Sequence, residues 1–166
     1  MGRLLGIARA RAKRAPLLLM EEARVDMDCG IEGDVRGVKR GRQVSVLFRE
    51  GWNAACAELG VEVPWLKRRA NLFVEGVEIP REGRRLRIGD LLLEVIQETQ
   101  PCRLMEAAHP GLQAALVPEW RGGVCCNVLR GATIRVGDDV RLEEQERGPA
   151  EAKISRALTA KLPYPA

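Results

Sequence analysis

The sequence is poor in aromatic residues, poorer still in histidine, and has no long apolar run. Phe, Trp and Tyr together make up 4% of the 166 residues, too few for a series of base-stacking platforms, which counts against nucleic acid as a partner. The one histidine, His109, would have to carry alone any His-rich metal site or Ser-His-Asp triad, and no GxSxG-type motif accompanies it. The longest apolar run near the start, Ala15 to Met20, is followed at once by Glu21 and Glu22. That run is shorter than the core of a secretory signal and far short of a membrane span. No other stretch reaches span length, so a cytoplasmic protein with no membrane partner is expected. The five cysteines (Cys29, Cys56, Cys102, Cys125 and Cys126) are an odd set without a CxxC pair. Reduced thiols are expected rather than a disulfide framework.

What is present is a globular composition, with 46% hydrophobic and 30% charged residues, in a chain of one-domain length. Lys and Arg number 27 against 23 Asp and Glu, a modest excess that suits an anionic partner. Short apolar runs separated by Gly, Pro and Asp predict strands at Leu4–Ala8, Ala23–Met27, Val44–Leu47, Asn71–Val74, Leu86–Ile88, Leu91–Ile96, Thr133–Val136 and Val140–Leu142. Trp52, Ala55, Cys56 and Leu59 follow helical spacing over Glu50–Leu59, and Gly60 supplies the stop. Arg103–Val117 is a second helical stretch, split by Pro110 and Gly111. The fold class expected is mainly β, a closed or nearly closed barrel of short, mostly antiparallel strands with a few peripheral helices. The barrel domain should span residues 1–143. Residues 144–166 should form a linker and a C-terminal helix or tail, since Glu143–Pro149 is charged and Ala150–Lys161 is amphipathic with a basic face.

Leu86-Arg87-Ile88-Gly89-Asp90 recurs 48 residues later as Ile134-Arg135-Val136-Gly137-Asp138. Two hairpins using the same turn chemistry are the simplest reading.

The residue best placed for chemistry is Cys102, in Gln100-Pro101-Cys102-Arg103 between a predicted strand and a predicted helix. Helix N-terminal amides and the adjacent Arg103 both favour the thiolate, the form that attacks sulfur, carries a persulfide or ligates a soft metal. Adjacent cysteines in a strand face opposite ways, so at most one of Cys125 and Cys126 shares a site with Cys102. Three glycine- or cation-rich segments suit a phosphate or other oxyanion. They are Gly33–Gln43, with Asp34, Arg36, Lys39, Arg40, Arg42 and Gln43; Lys67–Asn71, with Arg68, Arg69 and Asn71; and Arg121-Gly122-Gly123. Arg81, Arg84, Arg85 and Arg87 read as a solvated hairpin face.

The order of these motifs resembles the MOSC domain, the C-terminal domain of molybdenum cofactor sulfurases, which also occurs as a small free-standing bacterial protein. The resemblance covers roughly Gly2 to Leu142 and rests on Gly30-Ile31-Glu32-Gly33-Asp34, Arg42-Gln43-Val44, Arg68-Arg69-Ala70-Asn71-Leu72, Gly76-Val77, Gly83 with Ile88-Gly89-Asp90, Pro101-Cys102, Pro110-Gly111-Leu112, Gly122-Gly123 and Val128-Leu129 leading to Ile134–Asp138. It implies a β-rich barrel centred on Cys102. Relatives receive sulfur as a cysteine persulfide, or hold the molybdenum cofactor (molybdopterin) with the cysteine as molybdenum ligand and reduce N-hydroxylated compounds. On that basis the glycine-rich cationic loops would hold the cofactor phosphate, Gln43 and Asn71 would meet the pterin edge, and Cys102 would be both catalytic residue and metal ligand. Partners would be a sulfur donor such as a cysteine desulfurase, or redox proteins. No pyridoxal phosphate is expected, because no desulfurase-like domain fits in the chain. Many relatives carry a histidine where this chain has Arg36, which cannot shuttle protons near neutral pH. Two other readings remain open at this point, a basic barrel that binds polyanions and a thiol redox sensor pairing Cys102 with Cys125 or Cys126.

Overall fold

The computed structural model of the chain describes residues 1–144; the expected C-terminal linker and helix lie outside the described residues. In chain order the elements are β1 (Gly2–Arg9), β2 (Leu18–Met20), β3 (Glu22–Asp26), β4 (Gly30–Ile31), β5 (Val44–Phe48), α1 (Arg49–Leu59), β6 (Leu72–Glu75), β7 (Arg85–Ile88), β8 (Leu91–Glu98), α2 (Arg103–Ala108), α3 (Leu112–Ala115), β9 (Val124–Arg130), β10 (Ala132–Arg135) and β11 (Asp139–Glu143). Two 3-10 turns, Trp65–Arg68 and Pro118–Trp120, complete the list.

Seven strands run in the order β11-β7-β8-β9-β5-β6-β1, and a β1–β11 pairing (Gly2↔Val140, Arg3↔Asp139) closes them into a barrel, with β2 added to the outside of β1. An odd number of strands cannot close with antiparallel pairs alone, because the direction must return to itself after one circuit. The one parallel pair is β5–β6 (Val46↔Leu72, Leu47↔Phe73, Phe48↔Val74). A parallel pair needs a crossover, and α1 with the Trp65–Arg68 turn supplies it. A separate three-stranded sheet, β10-β3-β4, packs alongside.

Alternation along the strands builds the barrel interior. Val44, Val46 and Phe48 of β5, Leu72 and Val74 of β6, Leu91, Leu93 and Val95 of β8, and Val124, Cys126 and Val128 of β9 all join one buried cluster. A second cluster lies outside the barrel wall, where Leu47 of β5 meets Trp52, Ala55 and Cys56 of α1, Met105 of α2 and Leu112 and Leu116 around α3. Helix α1 presents its apolar stripe to this layer and stops at Gly60 (φ 64°), whose N–H reaches the carbonyls of Ala57 and Cys56.

The expected split of the second helical stretch is found, with Pro110 and Gly111 between α2 and α3. His109 ends α2, its N–H bonded to the Met105 carbonyl and its Nδ1 2.8 Å from the Pro110 oxygen. The two Gly-Asp copies do not behave alike. The first is a hairpin, β7–β8, with Ile88 opposite Leu91. The second is not: β10 pairs with β3 in the small sheet while β11 crosses to β7 and β1. Gly137-Asp138 therefore hands the chain from one sheet to the other. The arginine face beside the hairpin is also not purely solvated, since Arg87 pairs with Glu143 and Arg81 stacks over Trp120 at 4.7 Å.

Candidate functional site

Three loops are tied together at one end of the barrel by a single buried carboxylate. Oδ2 of Asp34 accepts bonds from the Ala10 N–H (3.1 Å), Asn71 Nδ2 (2.8 Å) and Arg36 Nη2 (2.9 Å), and Oδ1 accepts the Arg36 N–H (2.8 Å) and Nε (3.1 Å). Burial alone would raise its pKa, but the hydrogen bonds and charge of Arg36, with help from Ala10, hold it below the ordinary value. Arg36 is thus clamped in a two-point ion pair, and its Nη1 reaches the Arg69 carbonyl at 2.6 Å. Arg69 adopts a left-handed conformation (φ 60°) and donates from Nη2 to the Ala15 carbonyl at 2.6 Å. The segments around residues 10–15, 34–36 and 68–71 are one woven unit.

Asn71 and Gln43, expected at a pterin edge, serve this framework. Asn71 donates to Ala8 O and Asp34 and accepts from the N–H and hydroxyl of Ser45. Gln43 bridges the Met27 carbonyl and the Val128 N–H. All their amide groups have protein partners, so either would contact a ligand only by exchanging one of these bonds.

Arg68 is different. It is only 8% exposed, its Nε donates to the Gly122 carbonyl at 2.9 Å, and among the described residues no carboxylate pairs with it and its terminal nitrogens make no further hydrogen bond. Burial lowers its pKa first and Arg36 repels it, while the thiols of Cys125 and Cys102 act in the opposite sense. A buried guanidinium without a carboxylate partner is costly. Here its field falls on two sulfur atoms.

Cys102 stands exposed just before α2, in extended backbone (φ −125°, ψ 179°). Arg42 and Arg103 are exposed, while Arg36 and Asn71 are held by hydrogen bonds in the Asp34 framework. Cys125 is buried, with Thr99 Oγ1 3.3 Å from its sulfur. Cys126 faces the barrel core, where burial drives its thiol strongly upward. Burial, then Asp26, pushes the Cys29 thiol up to about 11. Neither Cys126 nor Cys29 is a thiolate near neutral pH, and all five cysteines are free.

The expected Arg121-Gly122-Gly123 anion loop divides. Arg121 belongs to the helical layer, bonded to Glu58 of α1 and to the Ala115 carbonyl. Gly122 packs where a Cβ would sit 2.7 Å from the Thr99 carbonyl, so only glycine lets this loop lie so close against Thr99. Gly123 (φ 92°) has no room for a Cβ beside the Val46 carbonyl.

A groove of roughly 550 Å³ is lined by Leu17, Pro64, Leu66, Lys67, Arg69, Leu104, Ala107 and Ala108, and Leu104 follows Cys102 by two residues at the start of α2. Its α2 wall comes from positions 104, 107 and 108, one helical face, while Met105 points the other way into the helical layer. The sequence reading missed this groove because its apolar lining comes from three separate segments, although the 104-107-108 stripe was visible.

A family model for the MOSC domain matches residues 33–141. The chain belongs to the MOSC domain family. That family is associated with the molybdenum cofactor. Solved structures agree on the fold: the YUAD protein from Bacillus subtilis superposes with a TM-score of 0.70 at 22% identity, covering 86% of this chain and 96% of that one. YiiM from Geobacillus stearothermophilus gives 0.69 at 16% identity over 98% of this chain and 87% of its own. YiiM from Escherichia coli gives 0.63 at 17% identity over 98% and 80%. No curated protein matches the chain. In this MOSC domain no cluster of three His, Cys, Asp or Glu side chains among the described residues is placed to hold a bare metal ion, and no described helix is long and apolar enough to cross a membrane. The donor set fits a molybdenum cofactor: the exposed Cys102 offers one soft ligand, and the terminal nitrogens of Arg68 are donors for an anionic group.

Proposed function

We propose that this MOSC domain is a sulfur carrier whose Cys102 takes up sulfane sulfur as a persulfide at a cationic site. The observation that carries the reading is the exposed Cys102 thiol, with a buried Arg68 guanidinium that has no carboxylate partner among the described residues and is bonded to the Gly122 carbonyl. The Cys102 thiolate attacks the terminal sulfur of a donor persulfide. A new S–S bond forms at Cys102, the donor S–S bond breaks, and the donor leaves as its thiolate. A nucleophilic acceptor thiolate then takes the terminal sulfur and restores Cys102. Arg68 stabilises the anionic sulfur in each state and does no proton transfer.

Where a molybdenum cofactor is the centre served, Arg68 and Arg69 would meet its anionic group and Cys102 its metal. When bound, such a cofactor supplies a soft metal centre that changes oxidation state. Arg36 favours the carrier reading over reduction, because the residue standing where many relatives have a histidine is fixed in an ion pair with Asp34 and offers no titrating group near neutral pH.

The test is to treat wild type and Cys102→Ala with a persulfide donor and weigh both by mass spectrometry. Wild type should gain one sulfur and the variant none at this position; equal gain on both overturns the carrier role. Metal analysis after growth with molybdate separates the ligand role, which requires molybdenum that co-purifies with wild type and is lost from Cys102→Ala.

A further inference from the structure

The charge of this protein is not spread evenly. Residues 9–17, 35–43 and 64–70 hold eleven of the 27 lysines and arginines and none of the 23 acids, so the rest of the chain, with sixteen cations, is net acidic. The fold gathers these segments on one face. Val35 N–H bonds Ala10 O at 2.8 Å, Arg36 bonds the Arg69 carbonyl, and Arg69 bonds Ala15 O. Arg11, Lys13, Arg14, Lys39, Arg40 and Arg42 are exposed and make no ion pair among the described residues.

Within that cationic face lies the apolar groove, walled by Leu17, Pro64, Leu66, Leu104 and Ala107, with Lys67 and Arg69 the only charges in its lining. Leu104 is 53% exposed. An apolar centre with a charged rim is the anatomy of a protein interface, and a patch of one sign calls for a partner of the other. Nucleic acid fits less well. The single aromatic in the three segments, Trp65, is stacked on Phe73 at 5.0 Å and 10°, so no free ring is offered to a base.

We propose that this face docks an acidic segment of a partner protein, its apolar side chains seated in the Leu17–Leu66–Leu104 groove and its carboxylates against the cationic loops. The proposal extends the sulfur-carrier reading by naming the kind of protein that would load or discharge Cys102, but the docking itself requires no reaction at the thiol.

The probe is a fluorescein-labelled peptide of glutamates with leucine at every fourth position, read by fluorescence anisotropy. A peptide with serine in place of leucine and a single-stranded oligonucleotide of equal charge serve as competitors. The leucine peptide should bind most tightly, with affinity falling as salt rises. The combined change Arg11→Glu, Lys13→Glu, Arg40→Glu should weaken it about tenfold or more, while Arg24→Glu, Arg130→Glu, Arg141→Glu, also exposed, should not. Leu104→Ser should reduce the leucine peptide to the level of the serine one. Thermal melting of each variant shows that it remains folded. Equal affinity for both peptides, equal effects of the two triple changes, or tighter binding of the oligonucleotide would each overturn the proposal. Cys102→Ala should bind the peptide as wild type does. Peptide binding by a wild type that takes up no persulfide overturns the carrier reading and leaves docking standing, whereas loading without peptide binding removes docking and leaves the carrier reading standing.

Discussion

Asp34 holds the site together through five hydrogen bonds from Ala10, Asn71 and Arg36, and its loss should be felt beyond its own position. Its carboxyl is held below the ordinary 3.8, so the ionised form is favoured by folding. The stability it contributes is present above the unfolded value and is lost as pH falls through the native one. Asp34→Asn should cost roughly 2 kcal/mol at neutral pH, a buried pair broken on one side with Arg36 still reaching water. The gap to wild type should narrow below pH 3.8, as read from urea midpoints over an acid series. A gap that does not change with pH would mean the carboxylate charge plays no part. Asn71 could be read in the sequence as a polar group of the site. Its role as a brace between Asp34, Ala8 and Ser45 could not, because those partners lie in distant segments and only the closed barrel brings them together.

Strand β9 shows what the pattern of residues hides and why. Val124, Cys126 and Val128 face the barrel core while Cys125, on the outer face, is buried as well. A strand covered on both sides loses the polar half of its alternation, and two cysteines with an asparagine do not read as an apolar run. The fold class, eight strand positions, α1 and the α2–α3 break were legible because each follows a period or a punctuating Gly or Pro. The second Gly-Asp turn was misjudged as a hairpin because turn chemistry fixes a change of direction and not the partner strand. Gly123 fixes how closely β9 meets β5, at the Val46↔Val124 pair. Gly123→Ala should cost roughly 2 kcal/mol, combining a positive φ with a clash against the Val46 carbonyl. Gly60→Ala, also at a positive φ (64°) but with nothing within 4 Å, should cost only about 1 kcal/mol. Equal melting shifts for the two would remove the close approach from the account.

At the scale of the molecule, the segregation of charge makes Cys102 reachable in a sign-dependent way. Its reaction with a dianionic aromatic disulfide should outpace that with a neutral dipyridyl disulfide of similar reactivity. The advantage should fall about fivefold between low and high salt as the cationic face is screened. A ratio indifferent to ionic strength would show that the loops do not steer anions to the thiol.

The closure of the barrel by β1 against both β6 and β11 carries a consequence for biosynthesis. Leu4 and Ile7, both fully enclosed in the finished protein, emerge from the ribosome long before either neighbour exists. Until residues 72–75 and 139–140 have been translated, that strand has bare edges and an uncovered apolar side, so β1 stays exposed to mispairing until β6 and β11 have followed it out.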